Sequence, residues 1–419
     1  MNRVWTIGAA LLVAGPASAE TLADAARAAI ASNPVLAAAT SRQDALAETP
    51  EQARALGRLT ADAAATGGYD RYDRGTSGSG TVSVSLPIWT GGRVRTAVRA
   101  ANADVAAGEE GVRDTSAAVL SAVASAYADL LFQQESVAIV RADIQLLESQ
   151  VAESKARFDL GTGTQTDVSR LVAQRASAGA TEASAVAALA AAAADYRAVV
   201  GTDAGTLAPP PAILAGLPAT ADEARKRAIQ ANPVYRQARS AGDAADARIG
   251  VARSNGAPSI GIGGSYGYGY TSGNDSGGYV RSAAAGATFR VPLLTGGLVA
   301  SQVRQATADA RAARYDIEAV SRTVIRATDT AWANVAAART RVDANTQAVA
   351  AADRALSGVK AEYAVGLRST LDILIADESL RGAQLALASS RSDLLTSETA
   401  LLRATGTLNV AAFDGRKTG

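Results

Sequence analysis

The chain has 419 residues, 41 basic and 40 acidic, for a formal charge of +1, so no basic excess marks a nucleic-acid binder. It contains no cysteine and no histidine, which excludes disulfides, thiolate chemistry, a lipid-modified N-terminal cysteine and the commonest metal ligand and general base. Aromatic residues are only 4%, so its abundant alanines point to helices packed at short distance.

Residues 1–19 carry Arg3, the apolar stretch VWTIGAALLVAG and the small residues Ala17-Ser18-Ala19. This is the pattern of a cleaved export signal, and its apolar run is too short to span a bilayer. The mature chain would begin near Glu20. A helical segment is expected from Leu22 to about Leu56, with Asn33-Pro34 inside it. Two alternating stretches follow. Leu59, Ala61, Ala63 and Ala65 oppose Thr60, Asp62 and Thr66, and then Val82, Val84, Leu86 and Ile88 oppose Thr81, Ser83 and Ser85. Period-two alternation predicts strands with one apolar and one polar face.

The sequence LPIWTGGRVRTA begins at Leu86. Its Pro87, Gly91 and Gly92 mark a strand-to-helix turn, because proline ends pairing and glycine permits a sharp redirection. From Gly92 to Gly161 a helical pattern would reach roughly 100 Å. Leu130, Val137, Ile144, Val151 and Phe158 recur every seven positions along it, the stripe of a coiled coil. A turn at Gly161, Thr162, Gly163 and Thr164 leads to a shorter helix, Asp167 to about Val200. The stretch TLAPPPAILAGLP (Thr206–Pro218) holds four prolines and is expected to be an irregular linker, residues 205–220.

The second half repeats the first. A helical segment runs from Ala221 to about Val251, with Asn232-Pro233 inside. Alternating strands follow over Ser259–Tyr270 and Tyr279–Val291, and the turn residues are Pro292, Gly296 and Gly297. The long helix spans Gly297 to Gly366 with Val335, Val342, Val349, Leu356 and Tyr363 on its stripe. A turn at Gly366, Leu367, Arg368 and Ser369 precedes a helix from Asp372 to about Arg403. Matching residues lie 199 apart before the strands and 205 apart after them. Six extra residues are therefore expected at the tip Thr271–Gly278 of the second hairpin. The chain divides into a signal (1–19), a first repeat (20–204), the linker, a second repeat (221–406) and a tail (407–419).

Four exported strands of about ten residues have the length that crosses a bilayer when tilted. Strands in lipid must close into a barrel, and four cannot close alone. The membrane reading therefore requires an oligomer. Soluble hairpins with one face on a core are the alternative.

With these patterns in place, the sequence resembles the TolC family of outer-membrane efflux and type I secretion channels. The resemblance spans the mature chain and rests on TLADAARAAIASNP (Thr21–Pro34), SLPIWTGGRVRTAVRAA (Ser85–Ala101) and its echo FRVPLLTGG (Phe289–Gly297). The turns ARFDLGTGTQTDV (Ala156–Val168) and AEYAVGLRSTLDIL (Ala361–Leu374) carry it further. It implies a mixed, mainly α fold. A long coiled-coil helical barrel would stand in the periplasm, and each chain would give four strands to a shared, trimeric, twelve-stranded outer-membrane barrel. It further implies a homotrimer in outer-membrane lipid, partnered by a periplasmic adaptor and an inner-membrane ABC or proton-driven transporter. No cofactor, metal, catalysis or nucleic acid is implied. The channel would export proteins or small toxic compounds.

The resemblance also assigns a periplasmic gate. Thr166 and Asp167 match its first-turn positions, and Tyr363 and Arg368 match their partners in the second. Asp372 matches one of two acidic positions that ring the constriction, while Ile375 occupies the second and Asp377 lies out of register. Gly161–Thr164 and Gly366–Ser369 would be the adaptor-contacting tips. Other readings stand beside these. Asp167 and Asp372 would serve as helix caps, Arg368 as a solvated charge and Tyr363 as a core residue. GTGTQTD lacks the GKS or GKT ending of a phosphate loop. A trimeric coiled-coil envelope protein or adhesin, without transport, would keep the heptads but needs neither gate nor strands.

Overall fold

A computed structural model describes residues 19–71, 75–272 and 277–415. The expected signal, all but Ala19, and the centre of the second hairpin tip lie outside the described residues. The elements run α1 (Leu22–Ser32), α2 (Pro34–Ala47), α3 (Thr49–Ala55), β1 (Thr60–Asp70), β2 (Gly75–Trp89), α4 (Arg93–Asp159) and α5 (Gln165–Val200). The order recurs as α6 (Ala221–Ala231), α7 (Pro233–Ser254), β3 (Ser259–Ser272), β4 (Gly278–Arg290), α8 (Leu298–Ala364) and α9 (Thr370–Ala404), with a closing 3-10 turn Val410–Asp414.

Each opening helical segment breaks at its Asn-Pro pair. Asn33 and Asn232 are extended, with ψ near 120°, as the residue before proline prefers. Pro34 and Pro233 then start new helices, where their missing N–H costs nothing. Asn232 caps α7 by accepting from the N–H of Val234 and Tyr235 at 3.0 and 3.2 Å.

The four strands form one antiparallel sheet in the order β1-β2-β3-β4. Partners across the ladder share a face, so the register sorts the residues. One face carries Ala61, Ala63, Ala65, Val82, Val84, Leu86, Ile262, Tyr266, Tyr268, Tyr270, Ala283, Ala285 and Ala287. The other carries Thr60, Asp62, Thr66, Ser79, Ser83, Ser85 and a run of glycines. Hydroxyls bridge strands on that polar side, with Thr60–Ser85 at 3.0 Å, Thr66–Ser79 at 2.8 Å and Ser83 donating to Asp62 at 2.7 Å. β2 begins six residues before the alternation predicts, because GTSGSG pairs through its backbone without any apolar alternation in its side chains. Every residue of β4 is exposed, and the outer edges of β1 and β4 are unpaired among the described residues. A sheet uncovered on its apolar face and open at both edges is incomplete as a single chain.

The described chain forms two compact units. One comprises the residues through Asn33, Ala117–Ala224 and from Thr328 onward, and the other comprises Pro34–Ser116 and Arg225–Ala327. Each takes matching segments from both repeats. The first is centred on Leu22, Leu120, Val123, Tyr127, Tyr196, Leu402 and Phe413. Its linker is tied down rather than loose: Glu20 and Leu207 form a parallel bridge, Tyr127 Oη donates to the Glu20 carbonyl at 2.9 Å, and Leu214 N–H donates to Glu398 at 3.0 Å. Burial pushes the Tyr127 phenol up to about 12. Burial and the Glu20 carboxylate also raise that of Tyr196.

Within this unit the helices run antiparallel, as the pairs Arg141–Glu182 and Arg175–Glu148 between α4 and α5 demonstrate. The unit holding the sheet is braced by Arg248–Asp104 at 2.6 Å and by Arg236 and Arg113 on the nearly buried Glu110. α4 and α5 each contain an 18-residue stretch apolar enough to cross a membrane. Alanine runs meet that criterion in closely packed helices as well.

Candidate gate at the duplicated helix turns

The α4–α5 and α8–α9 turns are built alike. Gly161 and Gly366 adopt φ of 75° and 79°, the left-handed conformation that glycine enters without a Cβ clash. Gly161 N–H donates to Phe158 O at 2.9 Å and Thr162 N–H to Arg157 O at 2.9 Å. Gly366 N–H donates to Tyr363 O at 3.0 Å and Leu367 N–H to Glu362 O at 2.9 Å. Both are Schellman motifs closing the long helix. The return helices are then capped in parallel. Thr164 accepts from Asp167 N–H at 3.1 Å and donates to its carboxylate at 2.6 Å. Ser369 and Asp372 complete a capping box, with Ser369 N–H on Asp372 at 2.8 Å. The Ser369 backbone and hydroxyl hold the Asp372 carboxyl below its usual range.

The turns differ where the repeats carry different charges. Position 157 is arginine, and its counterpart 205 residues on is Glu362. Position 163 is glycine, and its counterpart is Arg368. A Cβ at Gly163 would lie 3.1 Å from Phe158 N and 3.2 Å from Arg157, so that turn favours glycine. In the second turn Arg368 donates to Glu362 at 2.6 Å, a pair that raises the pKa of Arg368. In the first turn Arg157 has no such partner. It bonds Glu153 one helical turn away at 2.8 Å and lays its guanidinium 4.6 Å from the Tyr363 ring centroid. This cation–π contact joins α4 to α8.

The structure thus brings Tyr363 to Arg157, a residue that sequence reasoning missed. Comparing positions 157 and 362 across the repeat would have flagged it. Asp167 and Arg368 are not brought together within the chain, since each bonds inside its own turn. Thr166, Gly161, Thr162, Thr164 and Gly366 to Ser369 are exposed, and Gly163 is half-buried. Ile375 is 58% exposed. Asp377 turns instead toward the buried Asp143, which accepts from Arg381 at 2.6 Å. Burial, a hydrogen bond to Asp143 and that residue's charge push the Asp377 carboxyl up to about 7.

The strand-to-helix turns are equally matched. Gly91 and Gly92 have φ of 61° and 82°, and Gly296 and Gly297 have φ of 60° and 82°. Arg93 N–H donates to Thr90 O at 3.1 Å and Leu298 N–H to Thr295 O at 3.0 Å. Two consecutive residues with positive φ under such a bond form the left-handed turn that glycine accommodates best. Pro87 sits where the β2–β3 register shifts, and Pro292 lies two residues beyond the end of β4.

The family model for outer membrane efflux proteins matches residues 25–202 and again 224–407, one copy per repeat. The chain belongs to the outer membrane efflux protein family. It is 32% identical over 334 residues to the outer membrane efflux protein BepC of Brucella suis biovar 1, covering 80% of this chain and 73% of BepC. It is 32% identical over 294 residues to the outer membrane protein TolC of Vibrio cholerae, covering 68% and 67%. The crystal structure of the outer membrane protein VceC from Vibrio cholerae superposes with a TM-score of 0.74 at 24% identity, over 92% of this chain and 96% of that one. This efflux protein is an outer-membrane export channel of the TolC type, with its strands in the membrane and its helices in the periplasm. Its family is one of channels, not enzymes.

Proposed function

We propose that the channel is a homotrimer whose two helix turns form a gate at the periplasmic entrance, opened when a periplasmic adaptor and an inner-membrane transporter dock. The observation that carries this reading is the Arg157–Tyr363 contact. It joins the ends of the two long helices, so an outward swing of α8 and α9 would break it, together with the Arg381–Asp143 pair between α9 and α4, while leaving both Schellman motifs and both caps intact. Thr166, Asp167 and Arg368 are exposed or half-buried at the same turns, available to a neighbouring chain. The exposed tips 161–164 and 366–369 would meet the adaptor. Exported molecules would be small toxic compounds or proteins, carried through a duct that does no chemistry.

Asp372 would place one carboxylate per chain at the constriction, and Ile375 would leave a second acidic ring unbuilt. Block by divalent cations should therefore be weak and should disappear in Asp372→Asn. The gate is tested by planar-bilayer recording of the double variant Asp167→Ala, Arg368→Ser. Raised single-channel conductance is expected, and conductance equal to the wild type would remove these two residues from the gate.

A further inference from the structure

The strands reach lipid on the face that carries Tyr266, Tyr268 and Tyr270, and that face holds one charged residue among those described. It is Arg281, directly opposite Tyr268. Its guanidinium stands 5.9 Å from the Tyr268 ring, and no carboxylate pairs with it among the described residues. Tyr279 stacks on Tyr268 at 5.5 Å and meets Tyr270 at 4.9 Å. All four side chains are exposed or nearly so.

Depth follows from the strand. The ends of the strands at α3, α4, α7 and α8 lead to the periplasmic helices, so the hairpin tips lie outside. Arg281 is three residues from the outer end of β4 and eight residues from Phe289, an apolar residue of the same face near the inner end. Eight residues span about 27 Å along a strand, or about 20 Å of depth at the usual tilt. The apolar band of such barrels is about 25 Å tall. Arg281 therefore lies just inside the outer aromatic rung formed by Tyr270 and Tyr279, and its long side chain reaches the headgroup level. An arginine there without a counter-ion is disfavoured, and its planar fork fits a phosphate.

We infer that Arg281, framed by Tyr268, Tyr270 and Tyr279, binds the anionic phosphate of an outer-leaflet lipid. The inference rests on the shared barrel proposed above, which turns this face to lipid. The test uses the full-length channel in detergent, with diphosphoryl lipid A as the probe and native mass spectrometry as the readout. Wild type should retain the lipid about tenfold better than Arg281→Gln, the value of one charge-assisted bond. Arg281→Lys should keep most of the retention by keeping the charge. Equal retention by wild type and Arg281→Gln overturns the site, as does equal retention of a fully dephosphorylated lipid A. Displacement of the lipid by millimolar inorganic phosphate would make this a free-phosphate site and also overturn it. Should Arg281→Gln fail to assemble, Tyr268→Leu with Tyr279→Leu tests the same frame, and unaltered retention there overturns the aromatic part. Single-channel recording separates this failure from failure of the barrel. Normal channels without lipid retention reject the site alone, whereas no channel insertion by wild type rejects the barrel.

Discussion

Asp377 is where a single proton reports on helix packing. Its carboxyl is pushed up to about 7 by burial, then by its bond to Asp143 and by that residue's negative charge, while Lys360 and Arg381 oppose the shift. The unfolded chain would titrate near 3.8. Between those values the folded chain binds the extra proton, so stability declines as pH rises from about 4 to 7, and the cost is complete above 7. The side chain is half-buried, and residual solvent screening reduces the effect to about 1 kcal/mol. Asp377→Asn should therefore raise the thermal midpoint by about 2–4 °C at pH 8 and leave it unchanged at pH 4. A gain of the same size at both pH values would mean that titration of Asp377 is not its source. This residue was visible in the sequence only as an acidic position out of register with Asp372. What it faces depends on α4, more than 200 residues away in the chain.

At the scale of elements, the duplicated glycine turns invite a paired comparison. Gly91 and Gly296 have the same φ, but a Cβ on Gly91 would sit 2.3 Å from Ala257 Cβ, whereas nothing lies within 4 Å of one on Gly296. Gly296→Ala should cost about 1–2 kcal/mol from backbone strain alone. Gly91→Ala should cost distinctly more, because Ala257 must also move. Thermal midpoints of the two variants check this, and equal losses would show that strain, not contact, sets both. The existence and order of these elements were legible because periods of two and seven, and repeated TGG, survive in the residues themselves. Element ends were less so. The start of β2 in GTSGSG has no apolar alternation, and its strand character comes from pairing with both neighbours. The opening segments read as continuous helices, whereas the extended residue before each proline breaks them at Asn33-Pro34 and Asn232-Pro233. The two helix turns were legible in their duplicated caps, Asp167 and Asp372, but the Arg157 contact was not, because its partner lies on a different helix.

For the whole molecule, symmetry multiplies small energies. One exposed cation–π contact contributes about 0.5–1 kcal/mol, too little to hold a channel shut, since shifting a population from 1:99 to 99:1 takes about 5.5 kcal/mol. In the proposed homotrimer, three copies that open together would contribute about 1.5–3 kcal/mol, a substantial part of that gap, and would leave a lock weak enough for a docking partner to release. The consequence is quantitative. If the three chains open in one concerted step, replacing Arg157 by alanine in one subunit should raise the open-to-closed ratio about 2–5-fold, and in all three about 10–150-fold. Tandem trimers carrying one, two or three Arg157→Ala subunits, recorded singly in bilayers, should give a logarithm of that ratio linear in the number of variant subunits. Subconductance levels that appear one per variant subunit would show that the chains open independently. A ratio unchanged in the triple variant would place the lock elsewhere in the turns, with Arg368 and Asp167 the next residues to replace.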